Sequence, residues 1–132
     1  MTVDEVRSRT MRAVRSVDTK PEMLVRRLIH SMGYRFRIHR KDLPGSPDLV
    51  FPGKRKVIFV HGCFWHGHDC KRGARKPKAN ADYWSAKIAR NSARDVRVTN
   101  DLSAQDWKIL TIWECELSAM ETLKYRIVSF LE

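Results

Sequence analysis

The stretch FVHGCFWHGHDC, residues 59–70, concentrates the side chains with the most chemistry to offer. Cys63, His68 and Cys70 are three soft or borderline metal ligands within eight residues, and Cys115 is a fourth in the distant triplet WEC. Tetrahedral zinc accepts a Cys3His set, and four protein ligands leave no open position, so such an ion is structural. It would tie an irregular loop to the segment that carries Cys115. The spacing is not that of a common zinc finger. The ordinary alternative is a set of buried free cysteines, packed as small hydrophobes, beside surface histidines.

His61 and His66 are left over once that set is filled. A neutral imidazole accepts a proton from an attacking water near neutral pH. For His66 the spacing does not separate this role from metal ligation or a place facing solvent. Phe64 and Trp65 are adjacent aromatics in an irregular basic segment. They are candidates for stacking on bases or wedging between them, and equally for covering the metal site.

Asp48 follows Pro47 in LPGSPDLVF and opens an apolar run. A carboxylate at the mouth of a buried strand costs free energy unless it is paired or binds a cation. A Pro-Asp pair at a strand start, followed by a hairpin, resembles the core of the restriction-endonuclease-like nucleases. There the aspartate holds Mg²⁺, which polarises the scissile phosphate and activates water. Pro-Asp pairs also simply begin turns.

The elements that must position these groups follow from periodicity. Residues 4–16 are basic and weakly helical. Residues 20–33 read as a helix with Thr19 as cap, Pro21 in the first turn, Gly33 at the end, and Leu24, Leu28 and Ile29 as its apolar stripe. Glu22, three residues after Thr19, fits a capping box. YRFRIH at 34–39 alternates as a half-buried strand does. DLVF at 48–51 and KVIFVH at 56–61 read as a hairpin of buried strands about a Pro52-Gly53 turn. A long polar helix is expected over 81–104, a strand over 108–114, and a C-terminal helix with Ser118 and Glu121 as its capping box. The order predicts an α/β fold, a mixed sheet with helices packed on it.

Lys and Arg number 26 against 15 Asp and Glu, a net charge of +11, which points to a polyanionic partner. The cations are spread along the chain, as on a folded face against a phosphate backbone, rather than gathered in one tail. Lys87, Arg90, Arg94 and Arg97 recur on the long helix and form a candidate phosphate-binding face, or else ordinary solvated surface. Trp84 and Ile88 sit at helical spacing, as core residues do. No apolar run suits a membrane span or a signal peptide. The odd cysteine count points to a reducing compartment. The expected location is cytoplasmic, on the nucleoid. With 132 residues, one domain over 1–132 is expected.

The residues resemble, piece by piece, the very-short-patch repair (Vsr) endonucleases. The matching segments are TMRAVRS (10–16), PEMLVRRL (21–28), LPGSPDLVF (43–51), VIFVHGCFWHGHDC (57–70), YWSAKIARN (83–91) and WKILTIWEC (107–115), in the family's order. The resemblance implies a restriction-endonuclease-like mixed sheet flanked by helices, with a structural zinc on Cys63, His68, Cys70 and Cys115. It implies Asp48 as the Mg²⁺ ligand, with the Val60 backbone carbonyl beside it, His66 as the group that helps activate water, and Glu22 near the active centre. Phe64, Trp65 and Trp84 match aromatics that enter the DNA stack, and Met11 matches a wedge from the other groove. The basic segment 1–19 would contact DNA.

The implied reaction is Mg²⁺-dependent hydrolysis of one strand 5′ to the thymine of a T:G mismatch, the lesion left by deaminated 5-methylcytosine. The nick leaves a 3′-hydroxyl for short-patch resynthesis. The expected partner is duplex DNA with that mismatch, met by a monomer; repair-pathway proteins are further candidates. Three departures stand out. Val60 replaces a threonine common in the family. His66-Gly67-His68-Asp69 replaces a histidine run. The chain stops soon after its last helix, so no tail contact with DNA is expected. The rival readings are a nuclease of the same fold acting on matched sites and a non-catalytic zinc module that only binds DNA.

Overall fold

In the computed structural model, which describes residues 19–64, 66, 68, 70 and 80–132, the first element is helix α1, Lys20–Ser31. Thr19 Oγ1 accepts from the Glu22 N–H at 3.4 Å, and Pro21 lies in the first turn, where its missing N–H costs nothing. Gly33, at φ +95°, carries the chain out of the helix in a conformation that side chains other than glycine rarely adopt.

Strand β1 (Leu49–Phe51) and strand β2 (Lys56–His61) pair antiparallel across a 3₁₀ turn, Pro52–Lys54, with Leu49 opposite Ile58. The expected hairpin is present. Helix α2, Ala81–Ala104, then crosses over to strand β3, Lys108–Trp113, which lies parallel to β2 with His61 opposite Trp113. A 3₁₀ turn, Glu114–Ser118, leads into helix α3, Met120–Leu131. The sheet order is β1-β2-β3, the mixed sheet flanked by helices that the sequence predicts.

Alternation along β2 splits the core into two layers. Ile58 and Val60 join Leu49, Phe51 and Ile112 under Val25 and Ile29 of α1 and Leu123, Ile127 and Leu131 of α3. Val57 and Phe59 face the other way, with Val50, toward Leu102 and Val98 of α2. The Leu43–Pro47 turn is pressed on the same helix. Gly45 has φ +73°, and a Cβ there would lie 2.4 Å from Val98 Cγ1.

Two expectations are corrected. Residues 34–39 do not form a strand, and only Arg37 pairs with Val50, through N–H···O bonds of 2.8 and 2.9 Å. That register would bring Arg35 opposite Pro52, which has no N–H to give, while His39 at φ +59° turns the chain away at the other end. Ser118 does not cap α3. Its hydroxyl donates to the Cys115 carbonyl at 2.8 Å and closes the 3₁₀ turn, so the helix starts after Ala119 without a side-chain cap. The helix expected over 4–16 lies outside the described residues.

Candidate active site and metal centre

Strand pairing alone brings the cysteines together. Cys63 and Cys115 each lie two residues beyond the facing pair His61 and Trp113, on parallel neighbouring strands. The Cys115 N–H points at Cys63 Sγ, 3.4 Å away, and Cys115 Sγ lies 3.6 Å from His68 Nδ1. The loop turns back through His68 N–H to the Cys63 carbonyl, 2.9 Å, and Cys70 N–H to the His68 carbonyl, 2.9 Å. Ligand atoms of Cys63, His68, Cys70 and Cys115 all lie within 4.8 Å of one another, so this group can hold a metal ion. Burial pushes the Cys63 thiol up to about 12 and raises Cys115 as well. A bound cation reverses that cost by stabilising thiolates. The His68 ring stacks on Trp113 at 4.1 Å and 13°.

One layer away, a pocket of about 380 Å³ opens between the ends of β2 and β3, the Gly45–Asp48 turn and α2. Glu22, Asp48, Val60 and His66 all line it, as do His61, Asn91, Arg94, Asp95 and Trp113. Asp48 Oδ2 accepts a 2.6 Å hydrogen bond from the Val60 N–H. Burial raises the Asp48 pKa to about 7 against that bond, and the Glu22 carboxylate adds to the rise. Glu22 is itself buried and pairs with Arg26 one turn along α1, at 3.3 Å, and Arg26 draws the Asp48 pKa back down. Two carboxylates thus share a largely desolvated site. This is a setting a divalent cation stabilises.

The opposite wall carries nitrogen. His66 Nδ1 lies 2.6 Å from Asp95 Oδ2 on α2, and the Ser92 hydroxyl holds the His66 carbonyl at 3.2 Å. The rings of His61 and His66 are parallel, 3.8 Å between centroids, with Trp113 edge-on to both. Burial, then the neighbouring His66 ring, depress the His61 pKa to about 4 against the pull of Asp95, so His61 is neutral at pH 7.

Other expected residues fall around this pocket. Val60 is 8 % exposed, and its side chain belongs to the core; only its backbone serves Asp48. Phe64 and Trp84 meet edge to face, 5.7 Å between centroids, which joins the metal-binding loop to α2. Arg94 lines the pocket, whereas Lys87 and Arg90 lie nearer the start of the same helix, outside its lining. Trp65 and Met11 lie outside the described residues.

Asp95, Arg26, Ser92 and Trp113 were missed from sequence. For Asp95 a signal exists. Trp84, Ile88, Asn91, Asp95, Val98 and Leu102 form one 3.6-residue stripe, all buried or half-buried, and Asn91 and Asp95 are its polar interruptions.

The profile of the family "DNA mismatch endonuclease Vsr" matches residues 2–72. The chain is 54 % identical over 128 residues to the type II nicking enzyme V.XorIIP of Xanthomonas oryzae pv. oryzae, covering 97 % of this chain and 93 % of that one. It is 40 % identical over 121 residues to the type II nicking enzyme V.NmeAIP of Neisseria meningitidis, covering 92 % and 86 %. It is also 40 % identical over 117 residues to the DNA mismatch endonuclease Vsr of Escherichia coli, covering 89 % and 74 %. The chain is a DNA endonuclease, a hydrolase of the phosphodiester backbone. The chain belongs to the Vsr family of DNA mismatch endonucleases.

Proposed function

We propose that this protein nicks one strand of duplex DNA 5′ to the thymine of a T:G mismatch and so starts short-patch repair of deaminated 5-methylcytosine. The observation that carries this reading is a single pocket with the buried Asp48 carboxylate on one wall and the His66–Asp95 pair on the other. Asp48 and the Val60 carbonyl are the proposed ligands of Mg²⁺. When bound, that ion would polarise the scissile phosphate and favour ionisation of the attacking water.

The chain's own groups supply the rest. His66, with Nδ1–H donated to Asp95, keeps a lone pair on Nε2 to take a proton from water. Asp95 fixes that tautomer and stabilises the imidazolium that forms. Neutral His61 packs flat on the ring and limits its rotation. Glu22 keeps the Asp48 side of the pocket negative, and Arg94 offers charge to phosphate oxygens. Zn²⁺ is the proposed ion of the Cys3His group, because three thiols and an imidazole match its preference.

In this reading the Phe64–Trp84 pair, with Trp65 and Met11, pries open the base step, while Lys87 and Arg90 hold phosphates. Unstacking costs a few kcal/mol and is cheapest at a mismatch, which contributes to selectivity. Residues 1–132 act as one monomeric domain, with segment 1–19 on the DNA. A second reading, nicking at matched sites, is kept because two of the similar proteins are named type II nicking enzymes.

A nicking assay with Mg²⁺ on end-labelled duplexes, with and without each mismatch, separates the two. Cleavage confined to T:G duplexes supports the first reading, and equal cleavage of matched duplexes supports the second. Asp48→Ala should abolish nicking while DNA binding stays measurable. A fully active Asp48→Ala protein would remove the assignment.

A further inference from the structure

We propose that His61, His66 and Asp95 form a second metal site, specific for late first-row divalent ions, at which such an ion switches off the proposed nuclease. One ring nitrogen of each histidine and a carboxylate oxygen of Asp95 lie within 4.8 Å of one another. Asp95 Oδ2 is 2.6 Å from His66 Nδ1 and 3.9 Å from His61 Nδ1. His61 Nδ1 is buried without a hydrogen-bond partner among the described residues, a donor atom aimed at an acceptor it does not reach. Glu22 and Asp48 line the same pocket, so a cation meets three carboxylates in a chain of net charge +11.

Two imidazoles and one carboxylate are the donors that Zn²⁺, Co²⁺ or Ni²⁺ prefer and that Mg²⁺ does not. The two rings lie parallel, at 2°, so their lone pairs do not yet converge. Metal capture requires one ring to turn about its Cβ–Cγ bond. His66, carried by the loop past β2 and not by the strand, is the one to move, and it must leave its stack on His61 to do so. The site therefore binds more weakly than the Cys3His group.

The consequence follows from imidazole chemistry. A neutral ring bound to metal through Nδ1 carries its proton on Nε2 and has no lone pair left to accept another. The ion thereby removes the proposed base without occupying the place of Mg²⁺. This step rests on the reading of His66 given above; the site itself does not.

The test is a Co²⁺ titration of protein whose Cys3His group is already filled with zinc, followed by visible absorption and calorimetry. The expected result is one further equivalent with nitrogen-ligated d–d bands and no thiolate charge transfer. It should be retained in Asp48→Asn and bound at least roughly tenfold more weakly in Asp95→Asn, the loss that even an outer-sphere partner carries. His61→Gln should weaken it likewise. In parallel, Zn²⁺ should inhibit Mg²⁺-supported nicking, added Mg²⁺ should not relieve it, and a chelator should. Absence of the further equivalent, or its loss in Asp48→Asn but not in Asp95→Asn, overturns the site. Relief of inhibition by Mg²⁺ overturns the switch. Absence of nicking altogether counts against the proposed function and leaves the Co²⁺ result standing.

Discussion

The Asp48 carboxylate accepts a 2.6 Å hydrogen bond from the Val60 N–H, twelve residues away on the neighbouring strand. This bond makes the hairpin itself the holder of the buried acid. It opposes burial, and burial prevails, with the Asp48 pKa raised to about 7.

A raised carboxyl pKa favours the protonated form in the fold. Its contribution to stability is therefore full below about 4 and lost as pH rises through about 7. His61, depressed to about 4, works in the opposite sense over the same window, losing its contribution as pH falls. Comparison with Asp48→Asn isolates Asp48, since His61 is common to both. Melting curves of metal-free protein should show Asp48→Asn more stable than wild type at pH 8 and the difference shrinking toward pH 4. Mg²⁺ should raise the melting temperature of wild type at pH 8 and leave Asp48→Asn unmoved. Equal pH profiles for the two proteins would contradict this account of Asp48.

Val60→Thr is expected to leave nicking unchanged, because only the backbone of residue 60 meets Asp48. A hydroxyl placed in the apolar core would be unpaired and should cost about 1–3 kcal/mol of stability. A rise in nicking rate or in Mg²⁺ affinity for Val60→Thr would show instead that the hydroxyl reaches the pocket.

Asp95→Asn should keep the shape of the pocket and reduce nicking at saturating Mg²⁺ by about a hundredfold or more, as loss of an orienting partner to a general base does. DNA binding should be unaffected. Near-normal rates would leave the 2.6 Å His66–Asp95 contact as structure only.

Cys115→Ser, or strong chelation, should lower stability by several kcal/mol, a fall of at least roughly 10 °C in melting temperature for a chain of this size. The loss should extend to α2, because Phe64 joins the metal-binding loop to Trp84. Hydrogen exchange across 81–104 measures it. Unchanged protection there would separate the loop from the helix.

Much of this was legible in the sequence. The hairpin reads directly from two apolar runs about Pro52-Gly53, and α2 spans residues 81–104 as its pattern predicts. The cysteine cluster was legible once β2 and β3 were taken as neighbours. Residues 34–39 misled because alternation records which faces are apolar, not whether a partner strand has N–H groups to offer, and Pro52 has none. Asp95 stayed hidden because its partner His66 lies 29 residues away across an irregular loop. Trp113 looked like strand core, yet it walls both the pocket and the metal group.

The parallel register of β2 and β3 places Cys63 and Cys115 the same two steps past His61 and Trp113. Two short spacers, 52 residues apart in the chain, are thereby one ruler. Deleting or inserting a single residue in either would move its thiol out of step with the other. Length changes in His61–Cys63 and Trp113–Cys115 are tolerable only as a matched pair. The connection that follows Cys70 carries no ligand of that group, so its length is not bound by the same rule.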